Sequence, residues 1–492
     1  MAKYDRYLTR IMDMSPVKRQ SFISFSSLIA RTLIGYISTM YFAHVLGPAI
    51  LGSYFLFLAY YGIFDLIGDG GFGGAAVKRI SEGEDQEQYF SVFIVLRLVL
   101  LLLSTSIVLI ISPLLVDLNS AGLIPWLILA LIVGTVFSIT HNGVYGTAKA
   151  GVAQVSGFLN TVSKIIVQIL ATYLGFAVGG LAGGFIAGML IGIMINFRYL
   201  DLRLAKFNLN HLKRIFSFSF WIFLASSGAM IFAYADTIFI GYFMTNADVG
   251  IYRVALQLTS AATFITVSLR YVLYPRMSHW HAIGDFLAIE GTISRAFTYS
   301  LFLAVPAVIG GLLLSDSVLY FLYGSSFESG TPALIILFLV QIVNIFMYMQ
   351  TMVLNSMDKP KKTFIVTAIS ATLNIGLNIA LIPMMGIVGA AIATLVSMLL
   401  NAGLAYYYLS SIISVRLERH PVLNILKASI VMGICVLAFR LVFQIGNVFS
   451  LIAAVLIGAL IYLILILKWD EGIKDEIKTI VQTIGLPWPE FL

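Results

Sequence analysis

The chain has 492 residues, of which 60% are hydrophobic and only 11% charged, against about 25% charged in an ordinary soluble domain. At roughly 20 apolar residues per membrane crossing plus short connections, this length holds about 14 helices and leaves no room for a soluble catalytic domain. The net charge of +7 is read as topology, because Lys and Arg collect in cytoplasmic loops and set orientation; no nucleic-acid partner is expected. The single cysteine, Cys435, lies in an apolar run, which excludes intramolecular disulfides. Before the first span there is no short apolar core with a small-residue cleavage site, so that span is expected to stay in the mature protein.

Taken in chain order, apolar windows predict spans at 20–45, 49–75, 89–116, 122–147, 151–173, 177–200, 215–243, 248–272, 295–316, 332–356, 363–383, 386–409, 425–444 and 449–467. Each is expected to be helical, since lipid offers the backbone no other hydrogen-bond partners. A barrel is excluded because Leu98 to Leu103 and Leu451 to Leu467 are continuously apolar and do not alternate. With the N-terminus in the cytoplasm, the inside segments and the cytoplasmic ends of the spans hold all of the 30 basic residues except Arg31, Arg97, Lys164, Arg253 and Arg440, which fall deeper within spans. A miscounted helix would invert that pattern downstream, so both termini are expected to be cytoplasmic.

An internal echo supports a duplicated unit. Tyr36, Thr39, Gly52 and Tyr54 recur as Tyr234, Thr237, Gly250 and Tyr252, and Gly180, Tyr199 and Leu200 as Gly389, Tyr408 and Leu409. The expectation is an all-α polytopic membrane protein with two six-helix lobes in parallel repeat plus two C-terminal helices. Its parts are a cytoplasmic amphipathic segment (1–19), an N-lobe (20–200), an inter-lobe linker (201–214), a C-lobe (215–409), spans 13 and 14 (425–467) and an amphipathic tail (468–492). Three segments carry an apolar face and are expected on the cytoplasmic membrane surface: Tyr4, Tyr7, Leu8, Ile11 and Met12; Leu204, Phe207 and Leu212; and Ile473, Ile477, Ile480, Val481 and Ile484. A solvated linker or tail helix is the plainer reading of each.

No P-loop, H-E-x-x-H or G-x-S-x-G sequence occurs, so neither an ATPase nor a hydrolase is expected. His279-Trp280-His281 is expected on a cytoplasmic loop, as an interfacial Trp flanked by polar residues and not as a metal pair. The glycines from Gly68 to Gly74 are expected to loosen or kink the end of span 2.

The informative residues are ionisable groups inside spans, because a charge at mid-bilayer costs at least about 2.5 kcal/mol and faces a partner or a wet cavity. Arg31 on span 1 and Lys164 on span 5 lie near the midplane, whereas Arg97, Arg253 and Arg440 are nearer helix ends. Asp65 is near mid-depth, Asp69 closer to the cytoplasm and Asp236 in the outer part of span 7. The positive excess suits an anionic substrate such as a diphosphate headgroup. The competing reading has Arg31 and Lys164 paired with Asp65 or Asp236 to fix helix packing. On span 5, Asn160, Lys164 and Gln168 share one face, with Gln154 nearby, and His141, Asn142 and Tyr145 crowd the end of span 4. Such a wall suits sugars, and interhelical hydrogen bonds explain the same residues.

The stretch Ala43-His-Val-Leu-Gly-Pro-Ala-Ile-Leu-Gly-Ser-Tyr54, followed by Asp65 to Gly74 and Val77-Lys-Arg-Ile-Ser-Glu-Gly-Glu84, resembles the N-terminal signature of polysaccharide-transport flippases. These belong to the multidrug, oligosaccharidyl-lipid and polysaccharide exporter superfamily, and the wording is most like archaeal members. The resemblance implies a polyprenyl- or dolichyl-linked glycan carried across the cell membrane by alternating access, with glycan-assembly enzymes as candidate partners. Related lipid II flippases bind diphosphate with arginines on spans 1 and 8, the helices that carry Arg31 and Arg253 here. Spans 13 and 14 are expected to shape a groove for the lipid tail. The substrate-binding candidates are therefore Arg31, Lys164, Arg253, Arg97, Asn160 and Gln168, and Asp65, Asp69 and Asp236 are candidates for coupling to H⁺ or Na⁺; no metal or organic cofactor is expected. An ion-coupled exporter of small organic cations is the alternative, opposed by the positive cavity, and a membrane glycosyltransferase or polymerase is opposed by the short external loops.

Overall fold

The architecture was analysed in a computed structural model, which describes residues 16–483. The N-terminal apolar face at Tyr4 to Met12 and the end of the tail at Ile484 lie outside the described residues. Among the described residues the chain is helical with no strand, and it divides into two compact units, Met1–Gly250 and Ile251–Leu492. The first contains α1 (Pro16–Asp69), α2 (Phe72–Ser81), α3 (Gln86–Ile111), the short α4 (Val116–Ser120), α5 (Ile124–Gly146), α6 (Ala150–Tyr173), α7 (Val178–Tyr199) and α8 (Leu209–Phe243). Helix α9 (Asn246–Ser260) runs across the boundary. The second unit continues with α10 (Phe264–Ala282), α11 (Phe286–Tyr323), α12 (Thr331–Ser356), α13 (Pro360–Ser410), α14 (Arg419–Phe443), α15 (Val448–Trp469) and α16 (Glu471–Thr483).

Eleven helices among the described residues are long and apolar enough to cross a membrane. Many of their large apolar side chains point outward, among them Leu102, Leu109 and Ile110 on α3 and Phe449 and Leu460 on α15. Long helices that expose such faces are stable in lipid and not in water. The protein is a multi-pass membrane protein.

Two helices are too long for one crossing. Helix α1 has 54 residues and α13 has 51, about 75 to 80 Å at 1.5 Å per residue against a hydrocarbon core of about 30 Å. Each is broken at a glycine, Gly47 with φ 75° and Gly386 with φ 61°, a backbone region that a Cβ disfavours. The expected spans 1 and 2 fall on either side of Gly47, and spans 11 and 12 on either side of Gly386. The expected span 248–272 is not one helix: a 3₁₀ turn at Ala261–Thr263 separates α9 from α10, and this pair is not among the eleven.

The first unit is built on a glycine stripe. Gly180, Gly184, Gly188 and Gly192 recur once per turn on α7 and face α6. A Cβ on Gly188 would stand 2.6 Å from the Asn160 carbonyl oxygen and 2.8 Å from Lys164 Cβ, and one on Gly184 2.9 Å from the Lys164 carbonyl oxygen. Ser156 Oγ donates to the Gly192 carbonyl at 3.1 Å. Small residues let helix backbones meet this closely in a membrane, where dispersion contacts and hydrogen bonds drive association. The unit extends to Gly250 because α8 packs on α1, α2 and α3. A second apolar cluster in this unit joins Phe72, Ile80, Phe90, Phe93 and Ile215. In the second unit, one cluster unites α10 to α13 around Phe297, Met349 and Val353, and another unites α11, α14 and α15 around Ile425, Ala454 and Tyr462.

Four expectations are corrected here. The segment 200–208 forms no amphipathic helix, and Leu204 and Phe207 are exposed. Its polar atoms are spent on the unit: Lys149 Nζ donates to the Tyr199 carbonyl at 2.9 Å and pairs with Asp201, and the Ala205 N–H donates to Ser91 Oγ at 2.8 Å. The tail helix α16 buries Ile473 and packs Ile477 against α11, α14 and α15, so that part of its apolar face meets protein and not the membrane surface. His279-Trp280-His281 ends α10 and is not a loop. The glycines after Asp69 do more than loosen span 2: Gly70 and Gly71, at φ 56° and 76°, end α1 and start the separate helix α2.

Gly184→Ala is expected to lower thermal stability in detergent by about 1–3 kcal/mol, because the added methyl overpacks the α6–α7 seam. Gly151→Ala on α6, where a Cβ meets open space, is expected to be neutral or mildly stabilising. Parallel melting curves of the two variants check this.

Candidate functional site

Arg31 is carried on α1, half-buried, and its guanidinium lies over α6 at Gly157, with Nη1 3.3 Å from the point a Cβ would occupy. Lys164 follows two turns further along α6, half-buried, with its stem pressed on Gly188. Two cations, Arg31 from α1 and Lys164 of α6, therefore lie along α6 within the first unit. Among the described residues neither Arg31 nor Lys164 makes an ion pair.

Polar groups lie on α5 and α6 of the same unit. Asn160 is half-buried and sets its Oδ1 against Gly188, and Asn142 Nδ2 donates to Ser138 Oγ at 3.2 Å. The His141 ring sits in a stack along α5, with centroids 5.4 Å from Phe137 and 6.4 Å from Tyr145. Its Nδ1 is buried without a hydrogen-bond partner.

The remaining sequence candidates separate by geometry. Arg97 is 1% exposed, and its Nη2 lies 2.6 Å from Asp65 Oδ1. Its Nη1 donates to the Asp65 carbonyl at 3.2 Å and lies 3.7 Å from Asp69 Oδ1. Asp69 also accepts the Gly73 N–H at 3.3 Å. The sequence reading placed Arg97 with the substrate cations and the two aspartates apart from it; the structure joins all three into one ion-pair cluster that ties α3 to the end of α1. The competing reading paired Arg31 or Lys164 with Asp65 or Asp236; among the described residues Asp65 is held by Arg97 instead. Gln168, grouped with the substrate residues, is 2% exposed; its amide donates to Tyr54 Oη at 2.9 Å and to the Leu181 carbonyl at 2.8 Å. Both amide hydrogens are spent on holding α6 to α1 and α7. Arg440, on α14, pairs with Asp316 of α11. Asp236 is buried in α8, and Arg253 is half-buried in α9.

His141 is the polar group of α5 that depth arguments undervalued, since an uncharged imidazole adds nothing to a charge count. Its signal was present as Phe137, His141 and Tyr145 at successive intervals of four, which places the three rings on one helix face.

Comparison with known proteins follows this geometry. Residues 17–281 match the family described as polysaccharide biosynthesis protein, and the chain belongs to that family. It is 26% identical over 451 residues to a Haloferax volcanii protein named probable low-salt glycan biosynthesis flippase Agl15, covering 92% of this chain and 96% of that one. A solved structure of the lipid II flippase MurJ in an inward closed conformation is similar with a TM-score of 0.78 at 18% identity, covering 92% of this chain and 99% of that one. An inward-facing multidrug resistance MATE family transporter of the MOP superfamily is similar with a TM-score of 0.66 at 16% identity, covering 79% and 97%. The fold is thus of the MurJ and MATE type.

Arg97→Met strips a buried cation from two carboxylates and is expected to cost about 3 kcal/mol, the low end for a broken buried pair, because Asp65 and Asp69 retain some solvent. The triple variant Arg97→Met, Asp65→Asn, Asp69→Asn is expected to recover part of the loss. Thermal unfolding of the purified variants measures both.

Proposed function

We propose that the protein is a flippase, not an enzyme, which moves a lipid-linked oligosaccharide across the cell membrane by alternating access, with Arg31 and Lys164 holding the phosphate of the lipid linker. The observation that carries this reading is two cations along α6, Arg31 from α1 and Lys164, neither of which makes an ion pair among the described residues. Cations in a low-dielectric setting are stabilised by an anion, and a phosphate ester accepts a guanidinium fork and an ammonium together. Membership of the polysaccharide biosynthesis family and similarity to a protein named as a glycan flippase support the substrate class.

The finer assignments belong to the same proposal. Fourteen crossings are inferred with α1 and α13 each crossing twice and α9–α10 crossing once. Both termini are cytoplasmic, and two six-helix lobes are followed by the pair α14–α15, which shapes a groove for a polyprenyl or dolichyl tail. Asn160 meets the sugar or the phosphate, and Arg253 adds a further cation. Asp236, with the Asp65–Asp69 pair, is the candidate for H⁺ or Na⁺ coupling, and glycan-assembly enzymes are the candidate partners. The MATE-like fold favours a second reading, export of small organic cations; unpaired positive charge on α1 and α6 repels such substrates.

Reconstitution in proteoliposomes with a fluorescent polyprenyl-diphosphate glycan, followed by its access to an external quencher, tests the reading. Wild type is expected to exchange the probe between leaflets. Arg31→Ala and Lys164→Ala are each expected to slow exchange by about 10- to 100-fold, the loss of one charge-assisted hydrogen bond of about 1.5–3 kcal/mol. Normal exchange in a well-expressed double variant, or uptake of a cationic dye with no glycan exchange, would remove it.

A further inference from the structure

We propose that the strap between α7 and α8, residues 200–208, is a docking site for anionic phospholipid: Arg203 and Lys206 take the headgroup phosphates while Leu204, Phe207 and Leu209 enter the membrane interface. The inference concerns the bilayer around the protein and stands whatever substrate Arg31 and Lys164 serve.

The strap is held in place by the rest of its unit. It is not helical, yet contacts fix it at both ends and in the middle. Lys149 Nζ donates to the Tyr199 carbonyl at 2.9 Å and pairs with Asp201, and the Ala205 N–H donates to Ser91 Oγ at 2.8 Å. At the far end Asn208 Oδ1 accepts the N–H groups of Asn210 and His211 at 3.0 and 3.2 Å, and His211 Nε2 lies 3.1 Å from Asp85 Oδ2. Leu200, Leu202 and Leu212 pack inward on the cluster around Phe72, Ile80 and Phe90. The inner side of the segment is therefore already used.

What remains faces outward. Leu204 is 76% and Leu209 71% exposed, Phe207 is exposed between them, and Arg203 and Lys206 are exposed on the same stretch. Phe207, Asn208, Leu209, Asn210 and Leu212 line an open cavity of about 540 Å³. Large apolar side chains grouped on a fixed backbone mark a surface that another molecule covers.

Position and charge name that molecule. The strap joins the last turn of α7 to the first turn of α8, two helices long and apolar enough to cross a membrane, so it lies where bilayer meets water. Apolar and basic side chains together at that depth suit a phospholipid, with hydrocarbon on one side and phosphate on the other. The contacts above gather segments 78–87, 149 and 198–214 at one end of the unit, and these hold eight basic and five acidic residues. Three of the acids are engaged, Glu82 by Arg79, Asp85 by His211 and Asp201 by Lys149. Arg198, Arg203, Lys206 and Lys213 are exposed and make no ion pair among the described residues. A headgroup with net negative charge satisfies them, whereas a zwitterionic one brings its own cation.

Cys435 is the only cysteine, so Cys435→Ser followed by Leu204→Cys gives one attachment point for a fluorophore. The labelled full chain is placed in nanodiscs of phosphatidylcholine, or of an equal mixture with phosphatidylglycerol, and quenching by uncharged acrylamide reads how far the label meets water. Quenching is expected to fall severalfold in the anionic membrane. In mixed micelles, Arg203→Gln together with Lys206→Gln is expected to raise the phosphatidylglycerol needed for half of this shielding by about 10- to 25-fold, at up to about fivefold for each cation near an anionic surface. Added salt is expected to weaken the shielding of the labelled parent, because screening shortens the reach of the cations; that measurement needs no charge variant to fold.

Equal shielding in the two membranes overturns the inference, as does shielding by phosphatidylglycerol that survives the double substitution or is indifferent to salt. A label open to acrylamide in both membranes but shielded as the protein is concentrated in detergent gives the surface to a second copy of the chain, and overturns it as well.

Discussion

The absence of a side chain at Gly188 governs the region around Lys164. With hydrogen at that position, α7 lies against the Cβ of Lys164 and the backbone at Asn160. Gly157 does the corresponding service on the same helix, leaving room for the Arg31 guanidinium from α1. Two glycines, one on α7 and one on α6, thereby bring cations from separate helices into a neighbourhood they would otherwise avoid by mutual repulsion. The energy that offsets the repulsion comes from the rest of the α6–α7 seam, including the Ser156 to Gly192 hydrogen bond and the double donation by Gln168. Function and packing are therefore separable on α6: Gln168, one turn from Lys164 on the same face, is consumed by the fold, and Lys164 is left over from it.

The same division applies to the intramembrane charges. Arg97 and Arg440 each sit against aspartate, with Arg97 also donating to a backbone carbonyl. A pair with a buried member such as Arg97 adds little net stability over an apolar replacement but is costly to break, which is the behaviour of a structural tie. Arg31 and Lys164 lie at the opposite extreme: both are set along α6, and among the described residues neither makes an ion pair. A net positive balance was visible in the composition of the spans, but a sum cannot distinguish two neutralised arginines plus a concentrated positive centre from a positive charge spread evenly along a cavity. Only the concentrated arrangement provides a defined site for an anion.

Much of the fold was legible because hydropathy acts along the chain. Span positions and the breaks near Gly47 and Gly386 follow from local composition and from 1.5 Å of rise per residue. Pairing was not legible, because Arg97 and Asp65 are 32 residues apart, and Arg440 and Asp316 are 124 apart. Periodicity fixes which residues share one helix face but not which face of another helix it meets. The segment 200–208 misled for a related reason: apolar residues at helical intervals are necessary for an amphipathic helix, yet Lys149 and Ser91 offered its backbone and Asp201 better partners outside a helix. The 3₁₀ turn at Ala261–Thr263 left no mark that hydropathy reads, being composed of small apolar residues like the helices around it.

The internal echo has a physical counterpart that explains which of its positions were kept. Gly52 and Gly250 occupy equivalent places in the two copies, and they face each other: a Cβ on Gly52 would run into the Asn246 carbonyl and stand 2.8 Å from the Gly250 nitrogen, and one on Gly250 would run into the Pro48 carbonyl and stand 3.1 Å from the Gly52 nitrogen. Pro48 and Asn246 are themselves equivalent in the repeat, and all four residues lie within the first unit. Asn246 Nδ2 adds a hydrogen bond to Ser53 Oγ at 2.9 Å. Any side chain at either glycine would force the backbones apart. The matching glycines are therefore constrained by each other, and the Tyr54 that follows the first of them is buried.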